Sequence, residues 1–313
     1  MVGTQLVQLL IGKGAKVWIV SMDDKSRAHP KAKFVKADLT YLENCLQVCK
    51  GMDYVFNLMG VKGSPAVTMT RPASFFVPMV LFATNLMEAA RRQGVQGFLY
   101  TSSVGVYSPA EVFYENTVWE TFPSRNDWYP GWAKRIGELQ AEAYAIEYGW
   151  NRISIVRPAN IFGPYDNFDS KNAMVIPSLI KRAIEASETS QPLVVWGDGT
   201  PIRDFIFSRD VARGMLLVAE QGYNKPVNVA SGKGISIKKL AEIIVSNLNP
   251  RPKIVWDTTK PSGDKKRVLD TKRIQKLGFK TSVSFEEAIK ETIAWYLKNR
   301  NIAQKRYDIF NKA

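Results

Sequence analysis

Apolar positions in the first half of the chain follow two alternating rhythms. The short β-rich runs KVWIV (16–20), KFVKADL (33–39), DYVFNLMG (53–60), GFLYTSS (97–103) and RISIVRP (152–158) predict strands. The stretches TQLVQLLIGKG (4–14), FFVPMVLFATNLMEAARRQG (75–94) and GWAKRIGELQAEAYAIEYG (131–149) predict helices between them. This alternation predicts an α/β fold with a doubly wound parallel sheet, covered on both faces, whose ligands lie beyond the C-terminal ends of the strands. After Pro158 the rhythm loosens and Gly and Pro interrupt shorter elements. Residues 1–158 are therefore expected to form one domain and residues 159–313 mainly a smaller C-terminal α/β lobe, with some elements returning to the sheet.

A Rossmann-type sheet of this kind normally feeds its first strand into G-x-G-x-x-G, whose glycines let the backbone approach a pyrophosphate at a helix N-terminus. The opening MVGTQLVQLLIGKGAKVWIV has Gly3 where the last of those glycines belongs, and a helix and the next strand follow at once. The expectation is a dinucleotide-binding domain whose first strand is missing, an N-terminally truncated chain that holds its cofactor weakly as written. The next strand ends near Ser21, with Asp23, Asp24 and Arg27 just after. An acidic residue there favours NAD, whereas a small residue with an arginine nearby accommodates the 2′-phosphate of NADP. Ser21 and Arg27 tip the reading towards NADP, NAD remaining open, and Asp38 is expected beside the adenine and ribose path.

Composition bounds the alternatives. Of 313 residues, 45% are hydrophobic, enough for a substantial core. No uncharged apolar run of about 18 residues and no secretory pattern is evident, so a cytoplasmic chain with no membrane partner is expected. Cys45 and Cys49 share a helix face but do not form C-x-x-C, and His29 is the single histidine, so reduced thiols and no metal site are expected. The formal charge of +14 raises nucleic acid as a partner. The cations are scattered, however, and the densest group, DKKRVLDTKR (264–273), is broken by acidic and apolar residues. A small, doubly charged phosphate ligand is the better match, with no nucleic acid expected.

Four stretches carry the chemistry in order: FLYTSSVGVY (98–107), WYPGWAKRIGELQAEAY (128–144), IVRPANIFGPYDNF (155–168) and VVWGDGTPIRDFIFSRDVARG (194–214). Together they resemble the extended short-chain dehydrogenase/reductase family, specifically its nucleotide-sugar epimerases, dehydratases and reductases. With NAMVIPSLIKR (172–182) and KPSGDKKRVLDTKRIQKLGF (260–279), the GDP-L-fucose synthase branch is nearest. The resemblance implies NAD(P)-dependent hydride transfer at C4 of a nucleotide-diphosphate sugar. A tyrosine moves the hydroxyl proton, a lysine one turn later lowers its pKa and contacts the cofactor, and a serine holds the substrate oxygen.

Ser103 matches that serine and Lys134 that lysine. The stretch Y-P-G-W-A-K places Tyr129 five residues ahead of Lys134 and puts Pro130 in the expected position. Tyr129, just ahead of the helix, is the leading acid/base candidate; Tyr107 and Tyr165 are the alternatives, and a catalytically silent binding protein stays open. The Cys and His with which the fucose-synthase branch epimerises C3 and C5 are replaced by Gly105 and Met174, which carry no proton at neutral pH. C4 chemistry without 3,5-epimerisation is expected. The resemblance further implies substrate contacts for Asn160, Trp196 and Arg203, whose guanidinium would fork onto a diphosphate unless it pairs with Asp204 or Asp210. Lys181, Arg182, Lys266 and Arg267 would add cations at the mouth. Helices 75–94 and 131–149 form a homodimer interface in this family, although core packing alone accounts for apolar residues such as Phe75, Met79, Phe82 and Ile136.

Overall fold

Parallel strands are covered on both faces and read as near-continuous apolar runs, and four such strands form one sheet in the order Val227–Val229, Ile153–Pro158, Gly97–Thr101, Tyr54–Asn57. The computed structural model describes residues 1–61, 65–169, 173–260, 264–303 and 307. Trp18–Ser21 and Lys33–Lys36 pair in parallel as a separate two-stranded sheet. The residues of Trp18–Ser21 and Tyr54–Asn57 are mostly only half-buried, whereas every residue of Ile153–Pro158 is buried.

Helices cover both faces of the four-stranded sheet. On one side, Phe75, Met79, Phe82 and Met87 of Pro72–Arg92 and Ala133 and Ala141 of Trp128–Tyr148 close on Phe98, Tyr100, Ile153 and Ile155. On the other, Val211, Met215 and Val218 of Ser208–Glu220 meet Leu99, Val156 and Val229, and Leu6 of Val2–Gly12 packs on Ala212 and Leu216. Pro72–Arg92 is long and apolar enough to span a membrane by length and composition, and Phe75, Met79, Phe82 and Met87 of it are buried in this core. Cys45 and Cys49 are free and buried on one face of Leu42–Cys49, where burial pushes their thiols up to about 12 and about 11.

Two helices begin earlier than the sequence pattern suggested. Val2–Gly12 takes in Gly3, and Trp128–Tyr148 takes in Tyr129 and Pro130, so Tyr129 stands inside the helix and not ahead of it. A proline in the first turn costs nothing there, because its missing N–H would have no intrahelical partner.

The second sheet is built around Ile202–Phe207, which pairs antiparallel with Gly234–Ser236 and parallel with Asn160–Phe162 and Lys266–Leu269. Lys266–Leu269 also pairs in parallel with Val112–Phe113, and Leu193–Trp196 with Ile254–Asp257. Ile176, Ile180, Leu240, Ile244, Ile289 and Ile293 fill the core beneath. Between Ile202–Phe207 and Gly234–Ser236 the chain returns to the first sheet through Val227–Val229.

Candidate active site

The C-terminal ends of the parallel strands gather the expected catalytic pair. Ser103 follows the strand Gly97–Thr101, and its Oγ accepts the Gly105 N–H at 3.0 Å. Lys134 is buried, and its Nζ donates to the carbonyls of Thr101 at 2.8 Å and Met59 at 3.2 Å. Burial draws the ammonium down to about 8, against the opposing pull of Glu138. Two glycines let the helix sit this close to the strand. A Cβ on Gly137 would come within 2.3 Å of the Tyr100 ring, and one on Gly131 within 2.4 Å of the Gly105 carbonyl.

Tyr129 follows a different direction. Five residues from Lys134 at about 100° each place it about 140° around the helix from that lysine, and its ring meets Phe76 edge-on at 6.4 Å. It is 39% exposed. Neither alternative tyrosine is freely placed. The Tyr107 hydroxyl is buried, donates to Asn228 Oδ1 at 2.5 Å and accepts from Arg157, and its phenol is pushed up to about 12 by burial. Tyr165 packs against Trp295 at 4.9 Å.

Behind Ser103 and Lys134 lies a buried polar network that the motifs did not point to. Glu138, one turn after Lys134, accepts from Ser102 Oγ at 2.5 Å and from Arg157 Nε at 2.9 Å and Nη2 at 2.6 Å. Arg135 donates twice to the Val106 carbonyl, at 3.0 and 2.7 Å. The only sequence signal was a Glu spaced one turn from the lysine.

The expected dinucleotide contacts lie on several elements of the first half of the chain. Gly3 lies in the first turn of Val2–Gly12, a helix start with no side-chain cap. Ser21 ends its strand and accepts the Asp23 N–H at 3.1 Å, Arg27 lies in the turn Lys25–Arg27, and Asp38 accepts from Thr40. Among the described residues, Asn57 Nδ2 and Thr101 Oγ1 are buried without a hydrogen-bond partner, at the C-terminal ends of adjacent strands. Two orphaned polar atoms beside Lys134 fit a polar ligand such as the nicotinamide and ribose of NAD(P).

The expected substrate contacts divide into two groups. Arg203 Nη1 donates to the carbonyls of Ile202 at 2.9 Å and Asp264 at 2.6 Å, and burial followed by the neighbouring Arg267 lowers its pKa. The carboxylates weighed as its partners are engaged elsewhere. Asp204 accepts from Ser231, Gly232 and Leu269, and Asp210 from Arg213 and Ser282. Arg267 binds the Asp127 carboxylate, with Asp264 at 3.7 Å. These residues form one charged cluster around the start of the Lys134 helix. Asn160 instead donates to the Asp204 carbonyl at 2.9 Å, Lys181 faces Glu185 at 3.9 Å on its own helix, Arg182 donates to the Val194 carbonyl, Lys266 faces Glu111, and Trp196 is 61% exposed. Met174 precedes the helix Val175–Glu188.

The pattern of the NAD dependent epimerase/dehydratase family matches residues 1–230. "Probable GDP-L-fucose synthase 1" of Oryza sativa subsp. japonica is 33% identical over 258 residues, 80% of this chain and 78% of the relative. The GDP-L-fucose synthase of Escherichia coli (strain K12) is 29% identical over 264 residues, 80% and 82% respectively. A GDP-L-fucose synthetase from Naegleria fowleri bound to NADP superposes with a TM-score of 0.83 at 25% identity, covering 97% of this chain and 92% of the other. The UDP-glucose 4-epimerase of Thermotoga maritima with UDP-glucose shares the fold, with a TM-score of 0.84 at 24% identity over 96% of this chain and 97% of that one.

Proposed function

The chain belongs to the NAD-dependent epimerase/dehydratase family, and we propose that it transfers hydride at C4 of a nucleotide-diphosphate hexose, with NADP or NAD as cofactor, without epimerising C3 or C5. The observation that carries this reading is the buried Lys134, held by the Thr101 and Met59 carbonyls beside the Ser103 turn. Ser103 holds the reacting oxygen. Lys134 keeps a positive charge where a hydroxyl loses its proton, which lowers that hydroxyl's pKa. When bound, the nicotinamide cofactor takes up or supplies the hydride; Gly3, Ser21, Arg27, Asp38 and Lys134 are the residues that hold it. Arg203 and Arg267 bind the diphosphate, with Asn160, Lys181 and Trp196 around the sugar nucleotide. Positions 105 and 174 hold Gly and Met, so no side chain there exchanges a carbon-bound proton.

Residues 1–158 serve as the dinucleotide-binding part and 159–313 mainly as the substrate lobe. The protein acts as a homodimer in the cytoplasm. Val77 and Leu81 on Pro72–Arg92, and Leu139 and Ile146 on Trp128–Tyr148, support the dimer: they stand 48%, 41%, 54% and 79% exposed on the helices expected to form it.

The test is to incubate the protein with NADP+ and GDP-L-fucose, and separately with UDP-glucose, in deuterium oxide. Reduced nicotinamide or a C4 epimer is expected, with no deuterium at C3 or C5. Deuterium at either carbon would overturn the absence of 3,5-epimerisation. The offset of Tyr129 favours a second reading, a catalytically silent NAD(P)- or sugar-nucleotide-binding protein; binding with neither reduced nicotinamide nor a C4 epimer in either mixture would establish it.

A further inference from the structure

Pro130 occupies the place one turn ahead of Lys134 and can carry no proton, so some other group must do so if the functional reading above, on which this inference rests, holds. We propose that Asp127 is the acid/base group at the reacting hydroxyl, and that Arg267 holds it until a diphosphate draws the guanidinium away.

Three observations converge on Asp127. Aspartate at a helix N-cap ordinarily accepts from the second or third N–H of the helix. Asp127 occupies the N-cap of Trp128–Tyr148 without making that bond, and its carboxylate binds Arg267 across the lobes. Secondly, Gly105 opens a space between the carboxyl and the serine. A Cβ built there would lie 3.4 Å from Asp127 Cγ and 3.4 Å from Ser103 Oγ, so the two groups stand no more than twice that distance apart, and no side chain at position 105 fills the gap between them. Thirdly, the restraining cation belongs to the charged cluster. Arg267 lies close enough to Arg203 to lower the latter's pKa, and Arg267 Nε has no hydrogen bond among the described residues. Two neighbouring guanidiniums, Arg267 on the Asp127 carboxylate and Arg203 on backbone carbonyls, are placed to grip a diphosphate bidentately once Arg267 exchanges its carboxylate for it.

The step balances. In the oxidative direction the substrate O–H proton passes to an Asp127 oxygen, and the electron pair of that bond becomes the second C–O bond. The C4–H pair leaves as hydride to the oxidised nicotinamide. In the reductive direction the protonated carboxyl returns the proton to the forming alkoxide.

Asp127→Asn tests both halves on the full chain, since the side chain caps nothing and its loss should leave the helix intact. Two readouts are needed: calorimetric titration with GDP in the absence of cofactor, and turnover of GDP-L-fucose with NADP+. D127N should bind GDP several-fold more tightly than wild type, because Arg267 is freed, while kcat falls about 100-fold or more. Turnover within threefold of wild type overturns the proton role, as does a D127N that keeps its turnover while Tyr129→Phe loses it. GDP affinity that stays the same or weakens overturns the restraint by Arg267. If neither wild type nor D127N binds GDP or any sugar nucleotide, the functional reading itself fails and this role with it.

Discussion

Arg157 places Nε and Nη2 on the two oxygens of Glu138, at 2.9 and 2.6 Å, with both side chains almost entirely out of solvent. Glu138 also takes the Ser102 hydroxyl. One carboxylate thereby ties the strand before Asn160, the turn before Ser103 and the helix that carries Lys134. Breaking one side of a buried pair leaves the other charge stranded, which costs about 3–5 kcal/mol. Glu138→Ala should lower unfolding stability in urea by about that much. Glu138→Leu combined with Arg157→Met should recover much of it, because no buried charge then remains. An E138A protein within about 1 kcal/mol of wild type would show the network to be dispensable.

Lys134 makes stability depend on pH with a defined sign. Its folded pKa of about 8 lies below the ordinary value of 10.5. Between those values the unfolded chain binds a proton that the folded chain has released, so this lysine makes stability rise with pH, by at most about 1.4 kcal/mol per unit. Below about 8 the penalty of burying the charge is fully present. Urea midpoints at pH 8 and pH 10 should show a rise in wild type that Lys134→Met lacks, and parallel behaviour of the two proteins would refute the assignment. Turnover should fall as pH passes upward through about 8, where the cation is lost.

Asp204 accepts from Ser231 N at 3.1 Å, Ser231 Oγ at 2.6 Å, Gly232 N at 3.0 Å and Leu269 N at 3.3 Å. Gly232 has φ of 71°, a left-handed turn that the carboxylate pins against the neighbouring strand. Asp204→Ala would leave those donors without their acceptor, at about 1–3 kcal/mol for each that stays buried. A loss of at least about 3 kcal/mol in urea unfolding is expected; a loss under about 1 kcal/mol would mean that water replaces the carboxylate. Burial raises the Asp204 pKa to about 6 despite these bonds. On its own this group therefore lowers stability as pH rises from the ordinary 3.8 to about 6, and Asp204→Asn should remove that slope.

Local periodicity made the parallel strands and their long helices legible, because burial on both faces leaves a mark in neighbouring residues. Element ends were less legible. KFVKADL stops as a strand at Lys36, and Asp38 turns the chain by accepting from Thr40. Ser103 and Lys134 could be placed because their motifs are contiguous in sequence. The Asp127–Arg267 contact spans 140 residues and depends on the strand Lys266–Leu269 pairing with Val112–Phe113, a relationship that no local pattern encodes. Glu138 lies between: its spacing from Lys134 was visible, but its partner on the next strand was not.

Leu139 and Ile146 are exposed two turns apart on one face of Trp128–Tyr148, and exposed apolar side chains gathered into one patch mark an interaction surface. Leu139→Asp with Ile146→Asp should convert a dimer to a monomer in light scattering, by burying unpaired charge in the interface. Neither side chain belongs to the core, so the melting transition of the monomer should remain cooperative. An unchanged mass would place the interface elsewhere or exclude it.

Position 130 offers a gain-of-function test. It lies one turn from Lys134, about 40° around the helix, so a side chain there shares the lysine's face where that of Tyr129 does not. Proline in a first turn donates no helical hydrogen bond, and its replacement there removes none. Pro130→Tyr would set a phenol one turn ahead of a buried cation that lowers its pKa. Introduced into D127N, it should restore turnover about tenfold or more, since general acid/base groups contribute factors of about 10² to 10⁴. A rescued enzyme should regain kcat without losing the tighter GDP binding of D127N, because the phenol replaces the proton carrier and leaves Arg267 free. Failure to rescue, in a protein with an unchanged melting temperature, would mean that the site around Ser103 no longer accepts a proton carrier from this helix.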